Sequence, residues 1–350
     1  MSDEARRSLV EISINGASVT DDLQPYLLSC TYTDNEEDEA DDLQIQLQDR
    51  EAVWLTAWLD EIISAAAAAD LTIDAVFYRN FWSSGGADVL PCGQFQLDSV
   101  AESGPPNVVK LRATSLPFSN SARQTKKWRA WESYNLSGIA GEIAGNAGLS
   151  LLFESGNDPY YERVEQYDRS DIVFLQLLCH NAGISLKITD GQMVLFEQTE
   201  YEAKEPVRTI RYGDGSYLSY SVSTGSADTQ YGSCRVSYVD PETGKCIEGK
   251  ATATEEDQKS DQCLELSFKV SDAGEAKELA EKNLRLHNKY ERILTFKLPG
   301  DPVLVAGQTV GVEGFGGWSG KYIIKQAQHS VSPSGGYTTT IRLRRILEGY

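Results

Sequence analysis

The stretch from Leu298 to Arg344 is the part of the sequence that most constrains the fold, because short apolar runs alternate there with glycine and proline breaks. The runs are Val303 to Val305, Thr309 to Val312, Tyr322 to Ala327 and Thr338 to Leu343. Such runs, separated by turn residues, are typical of antiparallel strands joined by hairpins. The stretch therefore predicts a β-meander, and it offers no evident set of catalytic residues.

Length and charge narrow the class of protein. A chain of 350 residues is too long for one ordinary core, so we expect two or three domains. A formal charge of -20 argues against a nucleic-acid-binding surface, because contacts with phosphate need clustered Lys and Arg. No apolar run approaches the roughly 20 residues of a membrane-spanning helix, and the N-terminal sequence lacks the apolar core of a signal peptide. We expect a protein that is made and kept in a cytoplasm, without membrane insertion.

The N-terminal part predicts strands around one helix. Leu9 to Ile14 alternates and ends at the turn dipeptide Asn15-Gly16, and we interpret Leu27 to Thr33 as the return strand. Seven acids fall within residues 34–42, a run typical of a solvated loop. Residues 49–69 have helical spacing, with Asp49 as the cap. Further strands are predicted at Leu43 to Leu47, Leu71 to Tyr78, Phe95 to Val100 and Val108 to Ala113.

The middle of the chain predicts two helices and a hairpin. Apolar residues from Leu136 to Ala147 share one helical face, and Ser170 and Gly183 bracket a second helix, Asp171 to Ala182. The dipeptide Asp190-Gly191 predicts a tight hairpin turn. Beyond Pro206 the chain becomes rich in strands, interrupted by one helix at residues 272–290.

The residues that carry chemistry suggest no active site. Any Ser-His-Asp or Cys-His catalysis needs His180, His287 or His329, the only three histidines. Cys179 and His180 are adjacent in a predicted helix and point in different directions, so we interpret Cys179 as a buried thiol. His329 lies in a strand pattern typical of a packed or hydrogen-bonded residue.

Metal and disulfide sites are not indicated either. The six cysteines lack CxxC spacing and should remain free thiols in a reducing compartment: Cys30, Cys92, Cys179, Cys234, Cys246 and Cys263. The acidic run at 34–42 lacks the residue order of a calcium loop, which leaves only loose cation binding open. We assign no catalytic, cofactor-binding or metal-binding residue and expect no cofactor.

Several segments, in this order, resemble the phage late control protein D family. In the C-terminal meander they are PGDP at Pro299 to Pro302, AGQTVGV, GKYII, QHSV and GYTTTIRL. Earlier, Cys92 to Asp98 followed by SGPP matches a family segment, and so does the helix and hairpin that begins at Ser170. Members of this family are baseplate hub proteins of contractile tails, and they are similar to the hub part of type VI secretion spike proteins.

The resemblance implies an α+β, β-rich fold with two antiparallel, tail-tube-like β-barrel domains. Residues 1–115 would form the first hub barrel with a helical insertion at 49–69. Residues 116–200 would form an intervening small α/β domain, and residues 201–350 the second hub barrel with an inserted helix at 272–290.

A faint internal repeat fits two barrels. Gly93 to Leu97 followed by Val108 to Arg112 parallels Gly320 to Ile324 followed by Thr340 to Leu343. The alternative is chance, because any two hairpins share glycines and alternating apolar residues. If the repeat is real, three chains present six similar barrels around a threefold axis.

The resemblance also implies function and partners. The expected protein is a homotrimeric structural hub, not an enzyme, that joins the sixfold tail tube to the threefold central spike. Its partners would be the tail-tube protein or a tube initiator, the spike, other baseplate proteins and the tape measure protein, with DNA only as passing cargo. It would be assembled in the cytoplasm of a bacterial host and reside in the tail baseplate of a virion or tail-like particle. An acidic channel wall would repel DNA.

Two other functions stay open. A tail-associated cell-wall hydrolase would use two of the 52 acidic residues as its catalytic pair. A carbohydrate-binding or receptor-binding tail module would use some of the six Trp and 17 Tyr residues as stacking platforms.

Overall fold

The protein is described here by a computed structural model. The structure describes residues 7–50, 52, 71–83, 86–115, 125–225, 230–241, 243–254 and 260–347. The helix predicted at 49–69 lies almost entirely outside these residues.

Strands form most of the N-terminal part. The first seven strands, β1 to β7, are Arg7–Ile14, Ala17–Ser18, Leu27–Asn35, Asp42–Gln48, Thr72–Ser83, Gly86–Ser103 and Val108–Thr114. A single-turn helix, α1, spans Thr20–Leu23. In β3 and β4, the side chains that point inwards alternate with half-exposed polar ones, which is the pattern of a sheet with one buried face.

The middle segment packs two helices on small sheets. Its elements in order are β8 Lys127–Asn135, α2 Leu136–Asn146, β9 Ser150–Glu154, β10 Tyr160–Arg169, α3 Asp171–Ala182, β11 Ser185–Thr189, β12 Gln192–Phe196 and α4 Gln198–Ala203. Helix α3 ends at Gly183, whose φ of 70° is the left-handed conformation common after helices. Asp190 and Gly191 also have positive φ and form the tight turn between β11 and β12. Both features match the prediction from the sequence.

The C-terminal part contains the remaining strands and one long helix. They are β13 Arg208–Arg211, β14 Ser219–Thr224, β15 Ser233–Val239, β16 Cys246–Thr252, β17 Cys263–Leu266, α5 Ala273–Asn288, β18 Arg292–Pro299, β19 Thr309–Glu313, β20 Gly320–Ser332 and β21 Gly336–Arg345. Asp272 caps α5 by accepting hydrogen bonds from the backbone of Gly274 and Glu275. Strands β15 to β17 form a small separate sheet against α5.

One 13-stranded sheet organises the molecule, and it consists of two six-stranded units and the short strand β2, which pairs with β1 at the edge of the first unit. The first unit has the strand order β1-β5-β6-β7-β4-β3, and the second unit has the order β13-β19-β20-β21-β18-β14. They join where β3 pairs with the C-terminal part of β20. The pairings among the described strands do not close either unit into a barrel.

The two units repeat the same topology. Strands that have the same rank along the chain lie at the same position in the two units. The equivalent pairs are β1 and β13, β3 and β14, β4 and β18, β5 and β19, β6 and β20, and β7 and β21. The hairpins β6–β7 and β20–β21 even share an irregularity, which lies between Leu97 and Ser99 in the first and between Ile324 and Gln326 in the second. One pairing differs, because β1 is antiparallel to β5 whereas β13 is parallel to β19. The repeat noticed in the sequence is therefore present in the strand order.

Separate hydrophobic clusters fill the units. The cluster of the first unit includes Phe77 and Leu111 and also receives Val331 and Tyr337 from the second unit. The second unit has its own cluster around Phe296 and Ile341, and the middle segment has another between its helices and sheet. A fourth cluster lies between α5 and the sheet of β15 to β17.

Two strand predictions were wrong. Leu27 to Thr33 does not return along β1; the turn at Asn15-Gly16 leads instead into the two-residue strand β2, and β3 pairs with β4 and β20. Val303 to Val305 is not a strand, because the Asp301 carboxylate accepts a hydrogen bond from the backbone of Val303 and holds a turn there.

Candidate functional site

The acid-rich run at residues 34–42, called the acidic segment below, is mostly buried. The exposed fractions of Asp34, Glu36, Glu37 and Asp41 are 3%, 1%, 5% and 0%. The prediction of a solvated loop was therefore wrong. Buried carboxylates require cations or hydrogen-bond donors, and in this structure those partners come from distant parts of the chain.

Glu36 links the acidic segment to the last strand. Arg344 of β21 is fully buried and donates from Nε and Nη2 to the two oxygens of Glu36, at 2.9 and 2.6 Å. Its Nη1 donates at 2.6 Å to Glu202 of α4, which also contacts Arg285 of α5. Burial alone lowers the pKa of Arg344, but the carboxylates of Glu36 and Glu202 outweigh burial and raise that pKa. A fork geometry of this kind fixes orientation as well as charge.

Glu37 links the acidic segment to helix α5 and the middle segment. It forms a buried ion pair with Lys289, and it accepts hydrogen bonds from Tyr290 Oη at 2.6 Å and Ser185 Oγ at 2.7 Å. Gln198 Nε2 of α4 donates to the same carboxylate at 2.7 Å. Burial alone would raise the pKa of Glu37, but the nearby cations and donors hold it well below its usual range.

Asp34 and Asp41 share Lys187 of β11. Lys187 is in direct contact with Asp34 and lies 3.8 Å from Asp41. The second Asp34 oxygen accepts from the backbone of Ala306 at 2.7 Å, and Asp41 accepts from the backbone of Asn35 at 2.9 Å. Burial raises the pKa of Asp41 to about 6. Lys187 opposes this shift, and the repulsion of Asp34 adds to it.

Asp38 is one of the two exposed residues of the acidic segment. Its carboxylate lies 2.9 Å from His180 Nε2, and its carbonyl accepts from Gln176 Nε2 at 2.8 Å, both on α3. The hydrogen bond with Asp38 raises the pKa of His180. A cavity of about 250 Å³ lies beside Glu37, His180 and Lys289.

This arrangement is a joint between distant parts of the chain. The four buried carboxylates contact cations from β11, β21 and the end of α5, so one short segment ties both units to the middle segment. Within the described ranges, no three His, Cys, Asp or Glu side chains are grouped so that they could hold a metal ion. In the same part of the chain, no helix is long and apolar enough to cross a bilayer.

The residues considered for catalysis lie apart. Cys179 is a buried thiol of α3, as predicted. His329 is buried in β20, where Nδ1 lies 2.8 Å from Tyr337 Oη and Nε2 lies 3.0 Å from the carbonyl of Leu304. His287 packs against the Tyr231 ring with centroids 5.7 Å apart. The prediction that His329 is a packed or hydrogen-bonded residue is confirmed.

Two exposed surfaces can contact other molecules. All six side chains of β14 are exposed, and Tyr220 of that strand packs with Tyr212 and Phe315 in an aromatic cluster beside it. On the ribbon of β8 and β10, Trp128 and Tyr167 are 66% and 72% exposed and their rings meet edge to face at 6.4 Å. Exposed aromatic side chains are common at protein contacts.

Curated proteins and solved structures both include proteins that are similar to this chain. No model of a protein family matches this chain. Over 223 residues it is 23% identical to a protein of Escherichia phage 186 named probable baseplate hub protein, covering 62% of this chain and 53% of that protein. A protein of the same name from Escherichia phage P2 is 25% identical over 224 residues, covering 62% and 54%. The match spans about half the length of these curated relatives.

Solved structures match over nearly the whole chain. The 43 kDa tail protein of a Shewanella oneidensis prophage has a TM-score of 0.70 at 11% identity, covering 96% of this chain and 98% of that one. The chain has the fold of phage tail proteins. An Escherichia coli component of the type VI secretion system has a TM-score of 0.51 at 13% identity, covering 97% and 78%. The resemblance to baseplate hub proteins that the sequence indicated is confirmed by the curated relatives.

Sequence reasoning missed the acidic joint and had one usable signal for it. Lys187 lies between the apolar residues Leu186 and Ile188, and a lysine that is buried in such a strand needs an acidic partner. The dense acidic run was the available source of such a partner.

Proposed function

We propose that this protein is the structural baseplate hub of a contractile phage tail or phage-tail-like particle. In this role it is a trimer that joins the sixfold tail tube to the threefold central spike. The observation that carries the proposal is the repeat of two six-stranded units, because three copies then present six similar units around one closed axis. The fold of phage tail proteins and the names of the curated relatives support the same role.

The finer domain description is part of this proposal. In this proposal each unit contributes one tail-tube-like β-barrel domain, the first in residues 1–115 and the second in residues 201–350, with the small α/β domain at 116–200 between them. The separate hydrophobic clusters of the two units and the middle segment support these boundaries. The acidic segment acts as the internal brace that keeps the three parts in fixed orientation.

Partners follow from the position of a hub. It contacts the tail-tube protein or a tube initiator above, the spike below, and other baseplate proteins and the tape measure protein, while DNA only passes through. It assembles in the bacterial host cytoplasm and stays in the baseplate of the virion or particle. The exposed β14 surface and the Trp128–Tyr167 pair support protein contacts of this kind. An acidic channel wall stays a prediction.

The protein does its work without catalysis. A glycosidase needs two carboxylates that face one sugar ring across an open groove. The buried carboxylates of the acidic segment are instead held by Lys187, Lys289 and Arg344. A turbidity assay on purified bacterial cell walls tests this point, and lysis by the isolated protein would contradict it.

One observation favours a second candidate function, a carbohydrate-binding or receptor-binding tail module. Trp128 and Tyr167 together present exposed rings that can stack on sugars. Glycan-array binding that is lost in Trp128→Ala would support this candidate, and the absence of binding would remove it.

The mass of the purified protein in solution tests the hub proposal. Light scattering over a range of concentrations should show a species near three times 38.6 kDa. A strict monomer at every concentration would contradict the trimer.

A further inference from the structure

The contact between the two units within one chain has a defined register. Residues 326–331 of β20 pair antiparallel with residues 30–35 of β3. In this pairing Ser330 lies opposite Thr31, and their hydroxyl oxygens are 3.0 Å apart. Strand β20 can do this because its N-terminal part pairs with β19, and its C-terminal part extends beyond β19 along the same edge.

The row of paired residues that contains Thr31 can be followed across the first unit. Thr31 of β3 faces Gln44 of β4, Gln44 faces Arg112 of β7, and Arg112 faces Ser99 of β6. The row ends at Ser99, which lies four residues before Ser103, the last residue of β6.

The second unit contains the equivalent row. Ser221 of β14 faces Thr295 of β18, Thr295 faces Arg342 of β21, and Arg342 faces Gln326 of β20. Gln326 stands four residues before Ser330 on β20. Strand β14 is thus the equivalent of β3, and the end of β6 is the equivalent of the part of β20 that covers β3.

Both of these equivalent positions are open within one copy. Among the described strands, β14 pairs only with β18, and the edge of β6 at residues 99–103 that lies away from β7 has no paired strand. The sequence of β14, SYSVST, has no charged residue or proline of the kind that protects exposed edges. In addition, Glu102 Oε2 of β6 is buried with no hydrogen-bond partner in the described structure.

We propose that β14 of one copy pairs antiparallel with the C-terminal part of β6 of the next copy, in the register that β3 and β20 use within a chain. Ser221 then lies opposite Ser103 of the neighbouring copy, and Ser223 lies opposite Ala101. The contact between copies repeats the contact between units, so each copy joins the next head to tail, as closed rings require. The number of copies in the ring rests on the proposed hub function.

A paired-cysteine experiment on the full chain tests this register. Ser103→Cys and Ser221→Cys are combined in a chain whose two exposed cysteines are removed by Cys246→Ser and Cys263→Ser. Side chains that face each other across antiparallel strands are close enough for a disulfide. Mild oxidation should therefore produce covalent multimers up to the trimer on a non-reducing gel, and reductant should return them to monomers.

Two matched variants serve as controls in the same background. Thr31→Cys with Ser330→Cys occupies the equivalent positions within one chain, so it should form a disulfide that yields no covalent multimer. Ala101→Cys with Ser219→Cys is displaced by four residues from the proposed register, about 13 Å along a strand, and should not link copies.

The outcomes separate this inference from the hub proposal. A trimer by light scattering without covalent multimers from Ser103→Cys/Ser221→Cys would overturn the strand pairing and leave the trimer standing. If Ala101→Cys/Ser219→Cys links copies as efficiently as Ser103→Cys/Ser221→Cys does, the proposed register is wrong. A monomer at every concentration, without covalent multimers, would overturn both proposals.

Discussion

The two units of the large sheet share their strands and differ in their connections. Strands β3 and β14 are equivalent, as are β4 and β18, yet the β3–β4 connection is the short acidic segment while the β14–β18 connection carries β15 to β17 and α5. These two connections meet, because Glu37 of the first pairs with Lys289 of the second. The repeated strands therefore form the scaffold, whereas the connections make the two units distinct and fix them to each other.

The largest expected effect comes from removing the cation of the acidic joint. Arg344→Met leaves the buried carboxylate of Glu36 without its paired cation and leaves Glu202 with Arg285 alone, and we expect a loss of about 3–5 kcal/mol in the free energy of unfolding. The measurement is urea denaturation followed by circular dichroism. Arg342→Met, two residues earlier and exposed, is the control and should change stability by roughly 0.5 kcal/mol or less. Equal effects of the two variants would show that the joint is not a distinguishing feature of the second unit.

Equivalent core leucines sharpen the comparison of the strands. Leu43 of β4 and Leu294 of β18 occupy the same place in their units and are both buried. Each Leu→Ala substitution should cost about 2–5 kcal/mol, because it removes apolar contacts and leaves a cavity. Thermal unfolding of both variants checks this expectation. A loss of stability in only one of them would break the structural equivalence of the units.

A smaller effect is expected from pH at one position where the units differ. Burial lowers the pKa of His329 to about 4 from its ordinary value of 6.5, so between these pH values the folded protein keeps this residue neutral while the unfolded chain protonates it. Stability from this group is complete above pH 6.5 and declines as the pH falls towards 4, by at most about 1.4 kcal/mol per pH unit.

His329→Gln should flatten this part of the stability profile, measured as urea midpoints between pH 4 and 7. His287→Gln, at a half-exposed position, is the control and should keep the original slope. An unchanged slope in His329→Gln would mean that another group is responsible for the decline.

The smallest expected effect concerns the pairing of β13 with β19, which is the one parallel strand pairing within the two units. Arg211 Nε donates to Glu313 Oε2 at 2.7 Å across these strands, but both side chains are more than half exposed. Because solvent screens this pair, Glu313→Gln should leave the free energy of unfolding almost unchanged. A larger loss would show that this ion pair holds β13 in place.

Local sequence patterns were enough to predict most strands and the C-terminal ends of helices α2 and α3 in the middle segment. Gly183 and the Asp190-Gly191 turn act over a few residues, so their signals are complete within a short window. The matching hairpins β6–β7 and β20–β21 were also visible, because glycine and alternating apolar residues recur in both.

The long-range arrangement could not be predicted in the same way. The pairing of β3 with β20 joins residues nearly 300 positions apart, as in the hydrogen bond between Thr31 and Ser330 with a separation of 299. The acidic segment looked solvated because a charge run carries no mark of its partners, which lie on β11, β21 and after α5. The burial of particular carboxylates depends on tertiary structure, which the alternation of polar and apolar residues does not encode.

The central claim is that two equivalent units per chain build a ring of six from three copies. Electron cryomicroscopy of the purified full-length protein, with class averages viewed down the axis, tests it most directly. The account predicts threefold particles with six similar lobes around an open channel. Rings with another number of lobes, or single copies with two lobes and no ring, would contradict it.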